Sequence, residues 1–315
     1  MNRLDQFQRL GLLGFLVLTG IFFAVTSPYF ISMENITNIF IQSAVLIILG
    51  AGMTLVIGSA GIDLSIGAIL ALSSIIVAGS MKGGLGVVPG IFSGIISGFL
   101  MGAINGVGIA HLRISPFIVT LGTTGIYRAL ALIFTDAMPI YGLPYDFRMI
   151  GAGWVGPIPI SVIVAAVILA LFFFLIVWTK FGANARAVGD NAECAFRMGI
   201  PVGKTLVMIY ALSGASAALA GIVMTARLNT AEAIAGMGIE LETIAAVIMG
   251  GTSFFGGEAR IGGTLLGALI IGTLANGLTL VNVPSYYQQL VIGLVFIMAV
   301  LADQFRRRGM SNFTF

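Results

Sequence analysis

The stretch Thr54–Leu72, "TLVIGSAGIDLSIGAILAL", decides how this chain is read. It sets one carboxylate, Asp63, inside an apolar, glycine-rich run long enough to cross a bilayer. A charge in the middle of a span is costly and marks function. Asp63 is then an ion-binding residue, a substrate ligand, or the cap of a helix that starts beside it. The choice depends on where the spans begin and end.

The 315 residues are 58% hydrophobic and 9% charged, with a mean hydropathy of +1.09. Soluble domains carry roughly 25% charged residues, so lipid must solvate most of this surface. The chain reads as an all-α, polytopic integral membrane protein. Segments of about ten residues with alternating polarity, which a β-barrel needs, are missing, and helices remain. One cysteine (Cys194) and one histidine (His111) exclude a disulfide framework and argue against a metal site or haem attachment. The opening "MNRLDQFQRLGLLGFLVLTGIFFAVTSP" has the basic-then-apolar order of a signal peptide. It shows no A-x-A-like cleavage site and reads as an uncleaved first helix.

Breaks at charges, prolines and polar clusters give ten spans of about 20 residues each: 10–27, 38–58, 64–80, 85–110, 116–134, 158–178, 205–225, 242–253, 261–281 and 286–302. The eighth is short and reads as a half-helix or a tilted segment. An even count leaves both termini on one side. That side holds 11 of the 15 basic residues, namely Arg3, Arg9, Arg113, Lys180, Arg186, Arg197, Lys204, Arg260 and Arg306 to Arg308. The other side holds Lys82, Arg148 and Arg227, and Arg128 falls within a span. Cytoplasmic loops accumulate Lys and Arg, so both termini are expected in the cytoplasm. The same alternation puts Asp63 in a cytoplasmic turn between spans two and three. There it is expected to cap the third helix by accepting from the N–H of Ser65 or Ile66, worth about 1 kcal/mol, with help from the helix dipole. A gating or ATPase-facing role is the alternative.

Span four, "GIFSGIISGFLMGAING", carries Gly90, Gly94, Gly98, Gly102 and Gly106 at i+4 spacing. Such a row leaves a smooth groove for a neighbouring backbone and reads as packing. Gly263, Gly267, Gly272 and Gly277 repeat the theme less regularly in span nine. "VIGSAGIDLSIGAILAL" also resembles "VIMGGTSFFGGEARIGGTLLGAL", as an apolar helix, a glycine-rich turn and an Ile-Gly helix start. Transporters are often built from repeats, although glycine-rich helices resemble one another by composition alone.

Two motifs fail as chemistry. "GIPVGKT" (199–205) has Met198 where a phosphate loop needs its first glycine, and no strand precedes it. "GAGWVG" (151–156) fits G-x-G-x-x-G but lies in a proline-containing external loop without a βαβ unit. No catalytic constellation is present, and His111 reads as an interfacial residue. No nucleic-acid partner is expected. Ionisable groups inside the spans are few, which argues against an ion-coupled secondary carrier of a small polar solute. That carrier stays open as an alternative, as does a scaffold subunit.

The longest predicted cytoplasmic loop, "TKFGANARAVGDNAECAFRMGIPVGKT" (179–205), has the grammar of a short capped helix. Asp190 or Asn191 would be its N-cap and Gly199 its C-terminal glycine. Phe196 and Met198 are unusual for a loop that faces only water. The residues alone allow a solvated positive-inside loop or a docking helix with an apolar centre and charged rim. This loop resembles the cytoplasmic coupling loop of the ribose-type permeases of bacterial ATP-binding-cassette importers, a family that also handles xylose, arabinose, galactosides and autoinducer-2. The blocks at 52–72, 115–132, 240–272 and 276–303 resemble that family in the same order. "ECAFRMG" is similar to the E-A-A-x-x-x-G docking motif, with Cys194 in place of an alanine. Ribose-type members commonly show A-R-L-x-G-I near here, where this chain has Phe196, Arg197, Met198, Gly199 and Ile200.

The resemblance implies a single permease domain over 1–315, working beside a second permease copy or a paralogue in the bacterial inner membrane. It implies a cytoplasmic ATPase that uses ATP and magnesium, so that this chain binds no cofactor and is not itself an enzyme. It further implies a periplasmic or lipid-anchored sugar-binding protein. ATPase coupling maps to Asp190, Asn191, Glu193, Phe196, Arg197, Met198 and Gly199. A sugar path is expected along Asn105, Thr120, Thr123, Thr124, Tyr127, Arg128 and Asn276, although a threonine in a span is often satisfied by its own helix.

Overall fold

The computed structural model describes residues 3–311; the side chains of 3–9, 302 and 305–311, which include Arg3, Arg9 and Arg306 to Arg308, lie outside the described set. The chain runs through α1 (Arg3–Thr26), α2 (Met33–Gly58), α3 (Ile66–Lys82), α4 (Val87–Ala110), α5 (Pro116–Thr135), α6 (Tyr145–Ala152) and α7 (Ile160–Trp178). It continues through α8 (Lys180–Asp190), α9 (Ala192–Arg197), α10 (Val202–Leu228), α11 (Ile239–Met249), α12 (Ile261–Leu280) and α13 (Ser285–Ser311). Two small antiparallel pairs tie loops together. One joins β1 (Ile140–Tyr141) to β4 (Thr230–Ala231), and the other joins β2 (Trp154–Val155) to β3 (Ile158–Pro159).

Each of the ten segments read from the sequence falls on a helix. Six of those helices, α2, α4, α5, α7, α10 and α12, are long and apolar enough to cross a membrane. Shorter apolar stretches lie at Leu10–Thr26, Ile66–Lys82 and Ser285–Leu301. The eighth segment is α11, whose 11 residues reach only about 16 Å and do not cross. Local chemistry sets the ends. The Ser32 hydroxyl accepts from Asn35 N–H at the start of α2, and Pro116 opens α5, where a missing N–H is no loss.

α2 is the central column, buried without a break from Ser43 to Gly58. α10 and α12 pack beside it and α3 lies against α10 and α4, while α4, α5 and α7 each bury only one stripe and turn the rest outward. Leu121, Ile126, Phe134 and Phe174 are among the large apolar side chains on that outer surface, as expected where lipid is the solvent.

The five glycines of α4 face two different neighbours. Gly90 and Gly94 lie against Met81 and Val77 of α3, whereas Gly98, Gly102 and Gly106 meet the backbone of α10 at Gly214, Tyr210 and Val207. A Cβ at Gly102 would collide with the Tyr210 carbonyl and fall 3.1 Å from the Ala211 Cα. On α12, Gly263 sits against Gly250, Gly267 against Ala246, Gly272 against Ser43 and Gly277 against Phe23.

Candidate functional site

The segment between α2 and α3 is not a surface turn. α2 ends at Gly58, and Ala60 adopts the left-handed conformation (φ 61°) that lets the chain double back. Its N–H donates to the Ile57 carbonyl and that of Gly61 to Val56, which closes the helix end. The chain then folds into the bundle, and Asp63 is fully buried. Its Oδ2 accepts from Ser213 Oγ at 3.0 Å. Ser213 lies 11 residues into α10, about 16 Å along the helix. The sequence reading of Asp63 as a residue of a cytoplasmic turn is therefore corrected. The turn starts at the end of the bundle, but its carboxylate lies level with the middle of α10.

Irregular backbone survives at such depth only where protein groups satisfy it. Thr120 and Tyr210 both donate to the Ile62 carbonyl at 3.3 Å, and Thr124 donates to the Leu64 carbonyl at 2.9 Å. Asp63 Oδ1 accepts from Ser65 N–H at 3.0 Å and from Ser65 Oγ at 2.6 Å. Ser65 Oγ in turn accepts from Asn105 Nδ2 at 2.7 Å. Ser65 is the N-cap residue of α3 but makes no capping bond with its own side chain. Asp63 supplies the acceptor from two residues upstream instead. The carboxylate's donors come from α10 and its own turn, α4 reaches it only through Ser65, and among the described residues Asn105 Oδ1 is left buried without a partner.

The structure thus gathers Asp63, Ser65, Asn105, Thr120 and Thr124 into one knot. Tyr127 closes its edge by donating to the Met101 carbonyl at 3.0 Å. Arg128 faces elsewhere. Its Nη1 donates to the carbonyls of Ala233 and Ala235 at 2.6 and 2.7 Å, which fastens α5 to the loop before α11. Thr123 bonds only within its own helix, to Val119 and Thr120 carbonyls. Asn276 is not part of the cluster. It is buried on α12, which packs on α1, α2, α7 and α11, and among the described residues its Oδ1 has no partner. Tyr210 and Ser213 belong to the knot but were not singled out from the sequence. Within "YALSGASAALAG" (210–221) nothing distinguishes one small polar residue from the next.

At the end of the bundle, the loop 179–205 forms two helices. α8 buries Gly182, Ala185, Val188 and Gly189 and forms a floor, with Arg186 donating to the Ile176 carbonyl. Asp190 closes α8. Asn191 is the N-cap of α9, its Oδ1 accepting from Cys194 N–H at 2.9 Å. Gly199 (φ 82°) ends α9, with the Ile200 N–H returning to the Ala195 carbonyl at 3.0 Å. Among the described residues Phe196 and Met198 are 70% and 82% exposed, and the Glu193–Arg197 ion pair lies beside them. The result is a short, doubly capped helix with an apolar tip and a charged rim.

The floor touches the turn. Gly257 N–H donates to the Gly58 carbonyl at 3.0 Å. A Cβ at Gly189 would overlap the same carbonyl and lie 2.8 Å from Ser59 Cα, and one at Gly256 would lie 2.7 Å from the Ala60 Cβ. Three backbones therefore meet at close quarters, between the end of α8 and the start of the turn that carries Asp63.

Residues 35–300 match the family described as branched-chain amino acid transport system, permease component. The ribose import permease protein of Bacillus subtilis (strain 168) is 46% identical over 300 residues, covering 94% of this chain and 93% of that protein. The D-allose transport system permease protein of Escherichia coli (strain K12) is 42% identical over 289 residues, 91% and 89% of the two chains. The autoinducer 2 import system permease protein of Photorhabdus luminescens is 32% identical over 294 residues, 93% and 88%. No solved structure matches the chain.

Proposed function

The chain belongs to the family of branched-chain amino acid transport system permease components, and on that premise we propose how its bundle works. It is the permease subunit of an ATP-binding-cassette importer for a sugar, a multi-pass protein of the inner membrane. The relatives named for ribose and allose import place the cargo among carbohydrates. In this reading ten segments occupy the membrane, with α11 entering without crossing, and both termini and α9 lie in the cytoplasm. The permease works as a pair, either two copies or with a paralogue. A separate ATPase binds and hydrolyses ATP with magnesium, and a periplasmic or lipid-anchored binding protein delivers the sugar. This chain holds no cofactor and performs no hydrolysis.

The observation that carries the reading is the exposed tip of α9 on its rigid base. Two large apolar side chains at 70% and 82% exposure, held by caps at both ends of a six-residue helix, suit insertion into a partner's groove. Asp190 and Gly199 bound the element that docks. Asn191 holds its shape, and Glu193, Phe196, Arg197 and Met198 present its surface. The sugar path follows the polar side of α5, with Thr123, Thr124, Tyr127 and Arg128 as its lining, Thr120 and Asn105 behind them, and Asn276 on the far side of the bundle. A permease should bind its cargo weakly, because the binding protein supplies affinity and release must be easy.

The test is reconstitution with an ATPase and a binding protein from the same importer. Uptake of labelled sugar into proteoliposomes should require ATP. Reversing both charges, Glu193→Lys with Arg197→Glu, should detach or uncouple the ATPase while the bundle remains folded. Persisting ATPase association and transport in that variant would reduce α9 to a solvated linker. Uptake driven by an ion gradient without ATP would favour the secondary carrier instead.

A further inference from the structure

A second polar feature lies at the opposite end of the bundle from α9 and has no part in the cluster around Asp63. A cavity of about 360 Å³ opens where α2 begins, α10 ends and the β2–β3 hairpin leads into α7. Asn38 and Gln42 of α2 line it, together with Arg227 from the last turn of α10 and Trp154 of the hairpin. Ile41 and Pro159 supply apolar wall. None of Asn38, Gln42 and Arg227 has a side-chain hydrogen bond or ion pair among the described residues, and no carboxylate lines the cavity. A guanidinium at a helix C-terminus is favoured by the dipole and needs no cavity for that. Here two amides from another helix line the same cavity, so a guanidinium and two primary amides, all on exposed residues, border one void.

We propose that this cavity binds the phosphate of a membrane phospholipid, with Arg227 holding the phosphate, Asn38 and Gln42 the glycerol and ester oxygens, and Trp154 lying at headgroup level. The position supports the assignment. Every lining element is at the start or end of a bundle helix, which is where headgroups sit, and tryptophan is enriched at that boundary. A planar guanidinium fork suits a phosphodiester. The cavity is at the small end of ligand sites, large enough for a headgroup while acyl chains run down the outer surface. The proposal rests on the chain's place in the membrane and not on the cargo.

The experiment uses the full chain purified in dodecylmaltoside, following apparent melting temperature and retained lipid by native mass spectrometry. Phosphatidylglycerol, diacylglycerol, inorganic phosphate and ribose are titrated separately. Phosphatidylglycerol should stabilise the protein and remain bound, whereas diacylglycerol should not. Arg227→Gln should weaken that effect about tenfold, the scale of one lost charge-assisted contact, with Arg227→Lys intermediate. Gln42→Ala should weaken it less and serves as the reporter where Arg227→Gln does not fold. Stabilisation by inorganic phosphate alone, stabilisation by ribose, or equal retention of phosphatidylglycerol by wild type and the variants would each overturn the proposal.

Discussion

Replacing Asp63 tests whether its carboxylate organises the turn or merely occupies it. The side chain accepts three hydrogen bonds, from Ser65 N–H, Ser65 Oγ and Ser213 Oγ. Asp63→Asn keeps Oδ1 for both Ser65 donors, and the Ser213 hydroxyl can turn round to accept from the new amide. All three contacts survive as neutral bonds. Bonds to a charged group are stronger by about 1 kcal/mol each, but the charge also carried a desolvation penalty, so the net loss should be about 1 kcal/mol. Asp63→Ala removes every acceptor and leaves the Ser65 N–H and Ser213 Oγ orphaned, each at about 1–3 kcal/mol. A loss of about 2–6 kcal/mol follows, the sum over those two groups. Combining it with Ser213→Ala removes one orphan, so the double variant should be about 1–2 kcal/mol less destabilised than the sum of the singles. Unfolding in mixed micelles measures these differences, and ATP-driven uptake in proteoliposomes measures function. Asp63→Asn should fold and slow uptake severalfold while the ATPase stays bound. Wild-type uptake by Asp63→Asn would leave capping as the carboxylate's whole role. A loss below about 1 kcal/mol for Asp63→Ala would refute the argument from burial.

Gly102→Val should be severely destabilising, about 3 kcal/mol or more, because its side chain would meet the Tyr210 carbonyl and the Ala211 backbone. Gly122→Ala on α5, where nothing lies within 4 Å, should leave the apparent melting temperature unchanged. Thr124→Ala frees the Leu64 carbonyl and Tyr127→Ala the Met101 carbonyl. Both should cut sugar uptake while the ATPase still co-purifies, and unchanged uptake in both would remove them from the path.

The elements that carry long apolar periodicity were legible before any coordinates. The span starting at 116 and the short eighth segment were both placed by hydropathy and breakers, because lipid exposure is a property of composition over a window. The caps of α9 were legible too, since Asn191 and Gly199 act on neighbours three or four residues away. The sequence argument failed where contacts are distant. Charge alternation placed the 59–65 segment correctly between two helices, but hydropathy carries no information about whether such a segment turns outward to water or inward. The inward course depends on Thr120, Thr124, Tyr210 and Ser213, which are 58 to 150 residues away from their partners Ile62, Leu64 and Asp63 and come from two other helices. α8 escaped notice for a similar reason, because its buried face is made mostly of small residues, Gly182, Ala185 and Gly189, with Val188 as its one large apolar side chain. Asn276 was grouped with the α5 residues by chemistry alone, and the packing of α12 separates them.

The inward turn also bears on how a docking event at α9 reaches the path. A long surface loop would absorb displacement in its own dihedral angles. Here α9 follows α8 after the single residue Asn191, and Gly189 of α8 abuts Gly58 and Ser59 directly. Close-packed backbone has little room to compress, so on the proposed function a shift of α8 must move the start of the turn. The turn cannot flex freely either. Its carbonyls at Ile62 and Leu64 are held by α5 and α10, and its carboxylate by α10 and, through Ser65, by α4. Motion entering at one point is therefore distributed to the three helices that surround the proposed sugar path. The route predicts an asymmetry between two kinds of lesion. Damage to the Phe196 and Met198 surface should lower ATPase association, whereas damage to the Asp63 knot should leave association intact and break the link between hydrolysis and uptake.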